Sequence, residues 1–66
     1  MKVVVNGEPR ELPEGTTVAA VVASVTPAAA GVAVAVNDEV VGRRAWNETT
    51  VRDGDRVEVL TAVQGG

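Results

Sequence analysis

The apolar positions change their period several times along the chain, and each change marks an element. Between Met1 and Asn6, the residues Met1, Val3 and Val5 alternate with others, which places them on one face of a strand. Asn6-Gly7 follows, a pair suited to a type I′ hairpin because both central residues of that turn need positive φ. The return from Glu8 to Leu12 carries three charges and Pro9. Proline lacks the N–H of a ladder bond, so this strand belongs at a sheet edge. Pro13-Glu14-Gly15 reads as a turn, after which Thr16 or Thr17 supplies a helix N-cap. Val18, Val21, Val22 and Val25 then fall at i, i+3, i+4 and i+7, one apolar stripe on a helix. Valine favours strands by propensity, yet a half-buried strand alternates by two and this segment does not. Pro27 disfavours helical geometry at Thr26 and ends the helix there.

Beyond a small connection, Ala28-Ala29-Ala30-Gly31, the segment Val32 to Val36 alternates strictly, valines toward a helix and alanines away. Asn37-Asp38 turns the chain into a short partner strand, Glu39-Val40-Val41. Gly42 to Val51 has no clean period, and Arg43 to Trp46 fits one helical turn. Arg52-Asp53-Gly54-Asp55 is a turn with Gly54 supplying positive φ. The last strand, Arg56 to Ala62 or Val63, points Val57 and Val59 one way and Glu58, Leu60 and Ala62 the other. The predicted architecture is α+β, one helix on one face of a mixed sheet of four to five strands. The 66 residues predict one domain over 1–66, with a flexible C-terminal tail at 63–66.

Composition sharpens this picture mainly by exclusion. Hydrophobic residues make up 45% of the chain, mostly Val and Ala, with Trp46 the sole aromatic, so the core rests on β-branched side chains. The absence of cysteine removes disulfides, thiolate metal ligands and thiol nucleophiles, and the absence of histidine removes the commonest general base and metal ligand. With a net charge of −3 and basic residues scattered apart from Arg43-Arg44, no basic stripe exists for nucleic acid. The longest apolar stretch, Gly31 to Asn37, is far shorter than the ~20 residues of a membrane span. The apolar run at the N-terminus is too brief for a signal-peptide core, so a cytoplasmic protein is expected.

The remaining chemistry lies at the C-terminus. Gly65 and Gly66 lack Cβ atoms, so their backbone can thread a narrow channel. Extended, Val63 to Gly66 reaches roughly 13 Å past the last strand. The α-carboxylate is ionised at neutral pH and needs no general base to act as a nucleophile. Its attack on the α-phosphate of ATP gives an acyl-adenylate, with Mg²⁺ and cationic residues supplied by a partner. Leu60 on the outward face, beside Ala62 and rimmed by Glu58 and Arg56, is the expected docking patch, continued by Val63 and Gln64. Asp53, Asp55 and Glu58 match no Ca²⁺ loop spacing and read as a solvated turn. Arg43-Arg44 reads as a solvated pair, Trp46 as a cap on one end of the sheet, and Ser24 has no base to activate it.

Four segments at their relative spacings carry a resemblance: Val5-Asn6-Gly7, Gly15-Thr16-Thr17-Val18, Gly31 to Asn37, and Asp53 to Val59 running on to Gln64-Gly65-Gly66. Together they resemble the ubiquitin-like β-grasp fold and, more closely, the ThiS family of sulfur carriers in bacterial thiazole (thiamine) biosynthesis. The chain departs from that pattern at Gly42, where many members carry proline, and in its short Val/Ala-rich helix. The resemblance implies that a ThiF-like adenylating enzyme activates Gly66. Sulfur from a donor such as a cysteine desulfurase then displaces AMP to leave a thiocarboxylate, and a ThiG-like thiazole synthase receives the sulfur. It also implies that the chain binds no cofactor, ATP and Mg²⁺ serving the activating partner, and that the chain is a protein co-substrate and not an enzyme. The rivals are the small subunit of molybdopterin synthase, a ubiquitin-like modifier joined to lysines, and a regulatory β-grasp module with an incidental Gly-Gly. Short length and the Ala-Val-Gln-Gly-Gly ending fit the thiazole group best.

Overall fold

The computed structural model describes residues 1–27 and 31–61. The expected Ala28–Ala30 connection and the tail beyond Thr61 lie outside the described residues. Strand β1 (Lys2–Val5) turns at Asn6 and Gly7 into β2 (Glu8–Glu11). Both turn residues take positive φ, 50° and 83°, as a type I′ hairpin requires. Helix α1 (Val18–Val25) is followed by β3 (Val32–Val36), β4 (Glu39–Val41), a single 3-10 turn (Arg43–Ala45) and β5 (Arg56–Thr61).

The strands form one five-stranded sheet in the order β2-β1-β5-β3-β4. Strands β1 and β5 pair in parallel at its centre, and every other neighbouring pair is antiparallel. Pro9 sits on the β2 edge, where its missing N–H breaks no internal ladder. At the other edge, Asn37 and Asp38 turn β3 into β4 at φ 50° and 71°, a conformation that Asn and Asp tolerate better than most residues.

The predicted valine stripe does form the helix, although propensity disfavours it. Val18, Val21 and Val22 are buried and Val25 packs at the margin. Three orphan amides of the first turn find partners: Val18 N–H donates to the Thr49 carbonyl, Ala19 N–H to the Trp46 carbonyl and Ala20 N–H to the Thr17 hydroxyl, while Val21 N–H makes the first helical bond, to the Thr17 carbonyl. Thr17 is therefore the N-cap, and Thr26, extended at φ −145°, ends the helix before Pro27. Among the described residues, the core is nine buried valines and Trp46, from α1, one face of the sheet and Val51. Trp46 is 6% exposed, and its Nε1–H donates to the carbonyl of Val41 at 2.9 Å, so the ring closes the gap between α1 and the end of β4.

Candidate functional site

Strand β5 alternates as its sequence predicts. Val57 and Val59 are buried against α1, while Arg56, Glu58 and Leu60 are exposed. Cross-strand register identifies what surrounds Leu60 on the open face of the sheet. Ala33 lies opposite Leu60, Ala35 lies opposite Glu58, and Val40 of β4 lies opposite Ala35. Among the described residues, Leu60 at 64% exposure and Val40 at 80% are the large apolar side chains left in solvent, with alanines flooring the space between their strands. An apolar strip therefore crosses β5, β3 and β4 on the face opposite the helix.

The expectation built on Leu60 placed its apolar neighbours along the same strand, at Ala62. Ala62 lies outside the described residues; the described apolar neighbours lie across the sheet and include Val40, which the sequence alone does not single out. Its signal was present, because a two-residue turn at Asn37-Asp38 fixes Val36 opposite Glu39. Val41 then falls opposite buried Val34, and Val40 must face outward. Of the other expected site residues, Glu58 stands on this face, whereas Ala62, Val63, Gln64, Gly65 and Gly66 lie outside the described residues.

Three acidic side chains before and beside β5, those of Asp38, Asp53 and Asp55, have defined partners. The Arg56 guanidinium donates to Asp38 Oδ2 at 2.9 Å, and this hydrogen bond and the Asp38 charge raise the arginine pKa above its ordinary value. Asp53 Oδ1 accepts from the backbone N–H of Lys2 at 2.7 Å. Asp55 accepts from the Asn37 side chain at 2.9 Å and from Arg52 N–H at 2.8 Å. Asp53 and Asp55 thus tie the turn before β5 to β1 and to the β3–β4 hairpin, and Glu58 is exposed opposite Ala35. Among the described residues, no group of three potential ligands could hold a metal.

On the opposite side, Arg43 is exposed but stands over Trp46, its guanidinium carbon 5.7 Å from the ring centroid. Arg43 and Arg44 are thus not an equivalent solvated pair. A half-open groove of about 280 Å³ runs beside this contact, floored by Ala19, Val22, Ala23 and Trp46. Ser24 Oγ donates to the Val21 carbonyl at 2.7 Å, a helix back-bond with no activating base. Among the described residues, no helix is long and apolar enough to cross a membrane.

With this geometry in place, comparison with known proteins is informative. The ThiS family model matches residues 3–66. The sulfur carrier protein ThiS of Thermus thermophilus is 43% identical over 61 residues, covering 92% of this chain and 94% of that protein. A thiazole synthase of Paramagnetospirillum magneticum is 35% identical over all 66 residues, although the chain spans only 20% of that protein's length. The crystal structure of the thiamine biosynthesis protein ThiS from Geobacter metallireducens superposes with a TM-score of 0.77 at 38% identity, each chain covered in full. The five-stranded mixed sheet with one helix is the β-grasp arrangement of that structure.

Proposed function

Since the chain belongs to the ThiS family, we propose that it is a sulfur carrier of thiamine biosynthesis whose reacting group is the Gly66 carboxylate. A ThiF-like enzyme brings ATP and Mg²⁺. A carboxylate oxygen attacks the α-phosphorus, pyrophosphate leaves, and a mixed anhydride with AMP remains on Gly66. A sulfur nucleophile, supplied as a persulfide by a donor such as a cysteine desulfurase, displaces AMP to form an acyl disulfide. A thiol then cleaves its S–S bond, leaving the thiocarboxylate on Gly66 and a disulfide on the donor side. A ThiG-like thiazole synthase takes the sulfur into the thiazole ring. The carrier supplies no catalytic side chain in this scheme; it supplies a docking surface and a chain end. The compartment is the cytoplasm.

The observation that carries this reading is the match extending through residue 66, so that Gly65 and Gly66 fall inside the shared pattern. The thiazole acceptor, in preference to a molybdopterin one, is favoured by the similarity of the whole chain to a fifth of a thiazole synthase. Docking falls to the open sheet face, where Leu60, Val40, Ala33 and Ala35 are apolar and Glu58 adds a charge. In sequence, Ala62, Val63 and Gln64 link Thr61 to Gly65 and Gly66, and we assign them to the same docking surface. An apolar centre with a charged rim is the usual anatomy of a specific interface.

The acceptor is tested by loading the protein with sulfur and offering it to purified thiazole synthase with its remaining substrates. The reading expects the thiocarboxylate to revert to the carboxylate as thiazole forms. Sulfur delivered only to a molybdopterin precursor on the large synthase subunit, or conjugates on lysine, would overturn the thiazole reading in favour of a rival.

A further inference from the structure

Strand β1 stops pairing with β5 well before β5 ends. Their parallel register runs from Val4 opposite Arg56 to Val5 opposite Val57, while β5 continues to Thr61. Asn6 N–H still donates to the Val57 carbonyl at 2.9 Å, a regular parallel bond. A strand continuing straight would next accept from Val59 N–H with its residue 6 carbonyl and donate to the Val59 carbonyl from residue 8. The hairpin removes both, since Asn6 and Gly7 turn at positive φ and Glu8 pairs back with Val5. The Asn6 side chain replaces them: Oδ1 accepts from Val59 N–H at 2.8 Å and Nδ2 donates to the Val59 carbonyl at 3.3 Å.

We propose that Asn6 is a positioning residue for the reactive C-terminus, its side-chain amide extending the β1–β5 ladder by one step to fix the end of β5. The inference rests on the carrier reading above. One primary amide presents both an acceptor and a donor, which Asp lacks when ionised, and its carbon chain is one methylene shorter than that of Gln. Asn also accepts the positive φ of the turn. On the far edge of β5, β3 holds Val59, Leu60 and Thr61 through Val34, Ala33 and Val32. Asn6 therefore pins the β1 edge of β5 at Val59, two residues before Thr61, while β3 runs along the opposite edge. Fixing the strand there narrows the directions from which residues 62–66 approach a partner's active site, so less ordering remains for the docked complex. The apolar strip across β5, β3 and β4 is built by other pairings and does not need this contact. Asn6 thus governs reaction after docking, and docking itself much less.

The test compares Asn6→Gly, which keeps the turn but removes both bonds, with Asn6→Asp, which keeps one acceptor and loses the donor. In Asn6→Gly, hydrogen exchange at the Val59 amide should accelerate by about tenfold or more, and the NMR order parameter of Thr61 should fall while that of Val57 is unchanged. With ATP and an adenylating enzyme, the rate at saturating carrier should fall by about tenfold, with KM changed by less than about twofold. Asn6→Asp should lie between Asn6→Gly and wild type, and it carries the test if Asn6→Gly does not fold. Wild-type exchange at Val59 and wild-type order at Thr61 in the variants overturn the inference whatever the partner does. An unchanged rate, or a change confined to KM, overturns it as well. A wild-type protein that no adenylating enzyme activates overturns the carrier reading and this role together, and the wild-type control identifies that case.

Discussion

The two faces of the same sheet are built from alternate residues of the same strands, yet they do different work. On the helix side, Val3, Val5, Val34, Val57 and Val59 are buried against α1 and Trp46. On the open side, Val40 and Leu60 stand in water over a floor of alanine. A chain of this size gains nothing for its own stability from an exposed leucine and an exposed valine. The covered face accounts for folding, and the open face is where an interaction can be recognised without disturbing it. Ala33 and Ala35 sharpen the contrast, because small side chains between Leu60 and Val40 leave a flat surface that a partner can approach closely.

This contrast predicts a graded series of effects. Trp46→Ala should cost about 3–5 kcal/mol in chemical denaturation, because it empties the contact between α1 and β4 and leaves the Val41 carbonyl without its donor. A loss under about 1 kcal/mol would mean that the covered face does not carry the fold. Next comes the open face. Leu60→Asp combined with Val40→Asp should leave the melting curve within a few degrees of wild type yet raise KM for adenylation at least tenfold, about 1.4 kcal/mol or more. Unchanged adenylation kinetics would remove the docking role from this face. Thr17→Ala should cost about 1 kcal/mol, read by the same denaturation, since the Ala20 amide loses its cap. The smallest effect belongs to Asp38→Asn: the exposed Arg56–Asp38 pair should leave the melting temperature unmoved at physiological salt.

Much of this contrast was legible in the sequence because it is periodic. Val18, Val21 and Val22 announced a helix against their own propensity, and Val57 and Val59 announced which side of β5 is buried. Leu60 followed as the residue left outside. Val40 did not, since its face depends on the register across β3 and β4, and β4 is too short to show a period of its own. Contacts far apart in sequence were not legible at all. The helix amides of Val18 and Ala19 find their acceptors at Thr49 and Trp46, in a segment with no pattern. Asn6 was readable as a turn residue from its Gly7 neighbour, but its second role depends on Val59, which the parallel pairing of β1 with β5 brings beside it.

The most direct test of the carrier account is intact mass. The full chain and a variant lacking Gly66 are each incubated with ATP, a sulfur donor and an adenylating enzyme. The account predicts replacement of one oxygen by sulfur at Gly66 in the full chain, and an unchanged mass in the truncated one with its fold intact. Sulfur appearing in the truncated protein, or none in the full chain with any adenylating enzyme, would contradict it.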